Sequence, residues 1–153
     1  MSALAHAHDQ AARRWQGLAL LVFRLLLPPL FYFSGIGKIL AFDLTASRLP
    51  GGSDGLGTLL ALGAIAVELG CSTALLLGLF TRWASLVLIL FTIVATLMFH
   101  NFWAAPEAAV QAQTLNFLKN LGLVGGLLVL SAFGPGIWSL DARRGAVPAT
   151  ADA

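Results

Sequence analysis

RLLLPPLFYFSGIGK, residues 24–38, sits inside an otherwise apolar run and both begins and ends with a cation. A helix advances ~100° and ~1.5 Å per residue, so Arg24 and Lys38 fall near one face, ~21 Å apart along the axis. Pro28 and Pro29 cannot donate to the carbonyls of Arg24 and Leu25, which predicts a bend beside the first cation. In hydrocarbon such a charge costs ~2.5–3.5 kcal/mol on insertion scales, and the freed carbonyls need partners as well. The rest of the chain must supply acceptors and packing for this segment.

Of the 153 residues, 58% are apolar and only 10% charged, against about a quarter charged in a soluble domain. The composition is that of a membrane protein, and at ~20 residues per span it accommodates four spans in one compact bundle. Four apolar segments fit that length: Trp15–Leu40, Leu56–Phe80, Trp83–Trp103 and Ala112–Phe133. The expected organisation is therefore all-α. Residues 1–14 form a disordered N-terminal tail, 15–141 a four-helix membrane domain, and 142–153 a C-terminal tail. Arg13, Arg14, Arg82, Arg143 and Arg144 share one side of such a bundle, against Arg48 and Lys38 on the other. The positive-inside rule then puts both termini in the cytoplasm. Trp15, Trp83, Trp103 and Trp138 all fall at span ends, where an aromatic belt places them. Because the basic residues lie at span ends or within spans, the net charge of +2 does not imply nucleic acid.

The first 14 residues lack the apolar core of a secretion signal. His6 and His8 are too few ligands for a metal site, and no metal is expected. The single cysteine, Cys71, excludes an intramolecular disulfide and reads as a small core residue. The connection from Phe42 to Gly55 contains AFDLTASRL, a candidate surface helix with Asp43 as N-cap, stopped by Pro50-Gly51-Gly52. Small residues at Ala66, Gly70, Ala74 and Gly78, with Gly57, Ala61, Ala64 and Ser72 opposite, predict close neighbours on both sides of the second span. Gly122 and Gly126 form a GxxxG pair read as helix packing. GPGIWSLDARR reads as a helix stop followed by an interfacial anchor.

Polar residues within the spans are the candidate site. Counting rise from the arginine-rich side puts Arg24, Glu68 and Lys119 within about two helical turns in depth, with Lys38 and His100 further out. Glu68 is read as the only acid in the apolar interior, facing Arg24 or Lys119 as a charge-assisted acceptor. Either this is an ion pair that sets helix register, or it is a proton-carrying or ligand-binding carboxylate at a cavity. Gln113, Asn116, Lys119 and Asn120 form a polar strip on the fourth span. With His100, Asn101, Tyr32 and Ser34 they could line a pocket suited to a quinone head group or another flat lipid. The alternative is that His100 and Lys38 only snorkel to the interface. With one histidine in the bundle, a b-type haem is not expected.

The segments R-LLLPPLFYFSGIGK, VELGCSTALLLGLFTR, LVLILFTIVATLMFH and FLKNLGLVGGLLVLSAFGPGIWSLD together resemble the DoxX family, from about Leu20 to Asp141. The ordered set is Arg24, Gly35, Lys38, Glu68, Arg82, His100 and the Lys119–Asn120 pair. The resemblance implies a four-helix inner-membrane protein. DoxX relatives are described as oxidoreductases, some tied to membrane-bound thiosulfate and quinone chemistry, others to assemblies with oxidative-stress enzymes. Others in the wider superfamily resemble chaperones or cargo carriers. Three functions stay open: a redox-linked subunit binding a quinone-like lipid, a non-catalytic scaffold for partner enzymes, or a small-solute or proton transporter. The expected partners are the bilayer, redox enzymes at the membrane and further copies of the chain, and the expected cofactor, if any, is a quinone.

Overall fold

The computed structural model describes residues 3–145, with side chains from residue 10 onward. Seven α-helices follow one another: α1 (Ala3–Leu26), α2 (Pro28–Leu40), α3 (Phe42–Ser47), α4 (Leu56–Leu77), α5 (Thr81–Phe99), α6 (Glu107–Phe133) and α7 (Leu140–Arg143). A 3₁₀ turn at Phe102–Ala104 precedes α6, and no strand occurs among the described residues. Four stretches are long and apolar enough to cross a membrane: Gln10–Leu40, Leu56–Leu77, Thr81–Ala104 and Glu107–Phe133. The helix of the first stretch breaks at Leu27, and Pro28 and Pro29 open α2, where their missing N–H groups cost nothing. The expected tail instead continues the first helix from Ala3. The side chains of His6 and His8, and the C-terminal residues after Gly145, lie outside the described residues.

The α4–α5 connection marks the turn end of the bundle; the α3 and 3₁₀ connections mark the loop end. Around the bundle the order is first span, α4, α5, α6, with α1 returning to touch α6. The core gathers Leu20, Leu27, Phe31, Leu75, Leu88, Leu127 and Leu130, and half-buried Cys71 packs against it. The four tryptophans are exposed, Trp83, Trp103 and Trp138 at or beside helix ends but Trp15 midway along α1. α3 packs on the start of α4, where buried Ala46 abuts Gly57. Asp43 makes no capping bond, and the N-cap is Ala41. α4 touches α1, α2, α3 and α5, as expected of a central helix, but it buries Gly57, Ala61, Glu68, Ser72 and Leu75. Ala66 and Gly70, expected to face a neighbour, are exposed instead. The GxxxG pair divides likewise: Gly126 meets the Leu27 methyls, while no atom lies within 4 Å of a side chain built at Gly122.

Arg24 corrects a sequence expectation. It is 2% exposed and meets main-chain carbonyls rather than Glu68. Its Nε donates to Leu75 O at 2.8 Å and its Nη2 to Leu76 O at 2.8 Å, both in the last turn of α4. Its Nη1 donates to Pro135 O at 3.0 Å and Trp138 O at 2.7 Å, beyond the end of α6. Helical side chains lean toward their own N-terminus, so Arg24 reaches toward the turn end, where α4 has unpaired carbonyls and the negative pole of its dipole.

A second buried carboxylate lies outside the spans: Asp141, 8% exposed, sits at the turn end near Arg24, past the last span. Its oxygens accept from the backbone N–H groups of Phe80 (3.0 Å) and Thr81 (3.2 Å), placing an anion on the N-terminus of α5. Its own N–H donates to Gly78 O at 2.9 Å. Gly78 ends α4 at φ +65°, and a methyl there would overlap Ser139 and lie 2.5 Å from Arg24 Nη2. Gly78→Ala combines left-handed backbone strain of about 1–2 kcal/mol with expulsion of the guanidinium from its seat. The expected result is a clear drop in the thermal midpoint of the purified protein followed by circular dichroism. An unchanged midpoint would show that the turn and Arg24 do not share this contact.

Candidate functional site

Half-way along α4, Glu68 meets α2. Lys38 Nζ lies 2.8 and 2.9 Å from its two carboxylate oxygens and 2.6 Å from Ser34 Oγ. The Ser34 hydroxyl in turn donates to Glu68 Oε1 at 2.8 Å, closing a three-residue ring. Gly35 permits the approach, since a side chain there would meet Leu69 Cδ2 at 2.8 Å and Glu68 Cβ at 3.4 Å. Glu68 is 3% exposed and the Lys38 side chain 25%, so the carboxylate is sealed while the lysine keeps about a quarter of its surface open.

The partner of Glu68 is thus Lys38, not Arg24 or Lys119 as the sequence suggested. Depth counted from Cα rise alone places Lys38 too far out. The side chain folds back one turn toward the N-terminus of α2 and arrives at the level of Glu68. The same lean, toward the turn end, carries Arg24 away from the level of Glu68 to the last turn of α4.

The remaining predicted residues do not form one pocket. Tyr32 lies on the other side of the α2–α4 seam, bonded to Thr73 Oγ1. His100 follows α5, with Nδ1 2.8 Å from Gln113 Oε1 of α6. Asn120 donates to Thr96 Oγ1 at 2.8 Å, and Thr96 passes its proton to Thr92 O. Lys119 is exposed and donates to Asn116 Oδ1 of its own helix at 3.0 Å. Phe102, Trp103 and Phe117 stack edge to face at the loop end. No group of three or more His, Cys, Asp or Glu able to hold a metal occurs among the described residues. Sequence reading missed Asp141 and the threonines of α5. A Ser-x-Asp just past the Gly-Pro-Gly stop could have signalled the first.

The bend at the prolines gives the site its access. Leu27, Phe31, Ser34 and Lys38 recur at steps of four, three and four and share a face of α2. Leu130, Gly126, Leu123, Lys119 and Asn116 likewise share a face of α6. The two faces meet where Leu27 methyls lie 3.1 and 3.2 Å from a methyl built on Gly126. Further toward the loop end α2 packs on α4 and α6 packs on α5. There Gly122 has empty space beside it and Lys119 is exposed. Ser34, Lys38 and Glu68 stand at the α2–α4 contact, and Asn116 and Lys119 pair on α6. Glu68 is twelve residues into α4 and Lys119 twelve into α6, both ~18 Å from the loop ends of their helices.

The DoxX family model matches residues 19–101, which include Arg24, Ser34, Lys38 and Glu68. The chain belongs to the DoxX family. It is 31% identical over 124 residues to Inner membrane protein YphA of Escherichia coli, covering 81% of this chain and 89% of that protein. Inner membrane protein YqjF of the same organism is 34% identical over 130 residues, covering 84% of this chain and 94% of its own. The SURF4 family model also matches, over residues 61–146. Similarity to the Surfeit locus protein 4 homolog of Schizosaccharomyces pombe is 27% over 115 residues, 74% of this chain and 38% of that protein. No solved structure matches the chain significantly. In this DoxX protein the ion pair and the arginine clamp both lie on the segment that the family model covers, apart from the clamp's α6–α7 half.

Proposed function

We propose that this DoxX protein is an inner-membrane subunit that binds the head group of a quinone-like lipid in a polar pocket within the helix bundle, at the Ser34–Lys38–Glu68 ring. Both termini face the cytoplasm, as the arginine distribution implies, and redox enzymes at the membrane act on the bound lipid. The observation that carries the reading is the ring of Ser34, Lys38 and Glu68 half-way along α4, in which Lys38 keeps about a quarter of its side chain exposed. Its carboxylate is sealed, but its ammonium can still turn toward a carbonyl oxygen arriving from the acyl region. An apolar ring and tail would enter sideways past Phe31 and the empty space at Gly122. The two Escherichia coli relatives, named as inner membrane proteins, support the location.

The test is lipid extraction and mass spectrometry of the gently purified protein, with titration of a decyl-tailed dimethoxybenzoquinone by tryptophan quenching. Co-purified quinone, and quenching weakened by Lys38→Met, are expected. Protein free of quinone that shows no saturable quenching would reject the site.

One observation favours a second reading, a non-catalytic scaffold: Lys38 and Ser34 already satisfy Glu68 without any ligand. In that case the pair only fixes α2 on α4, and exposed Arg143 and Arg144 would hold partner enzymes. Retention of partners by a Lys38→Met/Glu68→Leu protein, with loss on trimming those arginines, would select it.

A further inference from the structure

We propose that the cleft at the turn end, between α1 and the α6–α7 connection, holds the head group of an acidic phospholipid. The cleft has a volume of about 430 Å³ and is lined by Gln10, Arg14, Trp15 and Leu18 of α1 and by Trp138. Packing explains where it lies. From Gln10 to Leu26, α1 fully buries only Gly17, Leu20 and Arg24, one narrow stripe at steps of three and four. The connection docks on that stripe. A methyl built on Gly17 would lie 3.0 Å from Ile137 Cγ1, and one built on Gly136 would lie 3.5 Å from Gly17 Cα. Before Gly17, α1 stands clear of the bundle, exposed from Gln10 to Gln16. Trp138 forms the other wall, anchored by a carbonyl that accepts from Arg24 Nη1 at 2.7 Å.

The level of the cleft is that of lipid head groups. At 22 residues α4 is ~33 Å long, about the thickness of the hydrocarbon layer. The Arg24 guanidinium is level with the last turn of α4, which marks the edge of that layer beside α1. Leu18 precedes Arg24 by six residues, ~9 Å, of which the arginine side chain spans roughly 6 Å. Leu18 therefore sits near the hydrocarbon edge, and Gln10 stands ~12 Å farther out. Trp15 lies between them with Trp138 opposite, 71% and 49% exposed, as in an aromatic belt.

Arg14 offers a phosphodiester a planar fork of N–H donors, and the two indoles and the Gln10 amide add neutral ones. The indole faces suit the glycerol backbone, and Leu18 suits the first methylenes of an acyl chain. Among the described residues that line the cleft there is one cation and no carboxylate, which disfavours a choline head group. Asp9, next in sequence, falls on the opposite face of α1 by its helical position. Glu68 is ten residues from Gly78, ~15 Å along α4, so quinone binding and lipid retention succeed or fail separately.

The test is native mass spectrometry of the full chain from maltoside micelles doped with equal phosphatidylglycerol and phosphatidylcholine. One phosphatidylglycerol is expected to stay bound, at least fivefold over phosphatidylcholine. Arg14→Gln and Trp138→Ala are each expected to lower its retention at least threefold. Arg82→Gln removes the same charge at the same end but outside the cleft, and should change retention less than twofold. All three side chains are exposed, and matching melting curves confirm that the variants fold. Excess glycerol 3-phosphate should leave the lipid in place; displacement would assign the site to a soluble phosphate and overturn the lipid reading. Equal retention of both lipids, or an equal loss in Arg82→Gln, would overturn it too, leaving only the general attraction of a basic surface.

Discussion

Arg24→Met is expected to cost this protein about 4 kcal/mol or more of stability. The loss should show as a collapse in folded yield and in resistance to unfolding by sodium dodecyl sulfate. The guanidinium makes four hydrogen bonds to carbonyls of two chain segments. A bond to a charged donor contributes about 1.5–3 kcal/mol net, and an orphaned acceptor in apolar surroundings loses more than that. The four are not additive, because they break together, so the figure is a lower bound on a cooperative event. Arg24→Lys separates charge from geometry. An ammonium keeps the cation on the C-terminal pole of α4 but cannot span four carbonyls with three hydrogens from one nitrogen. It should recover less than half of the loss. Wild-type resistance in Arg24→Met would mean that hydrophobic packing alone holds the turn end.

The second large effect belongs to the ion pair. Removing either Glu68 or Lys38 alone strands the other charge at mid-span, at a cost of about 3–5 kcal/mol. Removing both, as Lys38→Met with Glu68→Leu, should restore stability to within about 1–2 kcal/mol of wild type, since an apolar pair of similar volume suits the surroundings. The unfolding midpoints of the four proteins form a double-mutant cycle with an expected coupling of about 4 kcal/mol or more, the two single losses less the double one. Ser34→Ala should act in the same direction but weakly, because Lys38 still reaches both Glu68 oxygens directly. Additive losses in the double variant would mean that the two charges do not sense each other.

The spans, their order and the proline bend follow from apolar run length and from missing N–H groups, which are local properties. The structure accordingly starts α4 at Leu56 and ends α6 at Phe133, as expected. Which charges meet is not local. Cα rise gives depth to within about a turn, but a long side chain adds an offset whose sign depends on chain direction. That offset moved Lys38 onto Glu68 and Arg24 away from it. Asp141 escaped notice for another reason. It lies past the last span, in a stretch that reads as surface, and is buried only because α4 and α5 turn sharply at Gly78 beneath it. The small residues of α4 misled in turn, since Ala66 and Gly70 are compatible with a close neighbour without requiring one.

The clamp joins residues made early and late in synthesis. Trp138 stands 114 positions after Arg24. While the chain is being made, the arginine has only the α4 carbonyls to hold, and Asp141 is not yet there to seat the start of α5. The first three spans can thus be inserted but not locked, and final closure waits until Pro135 to Asp141 have been made and have reached the turn end. A chain stopped short of Pro135 would expose a half-satisfied cation within the bilayer, a ready signal for membrane proteases that clear unfinished products.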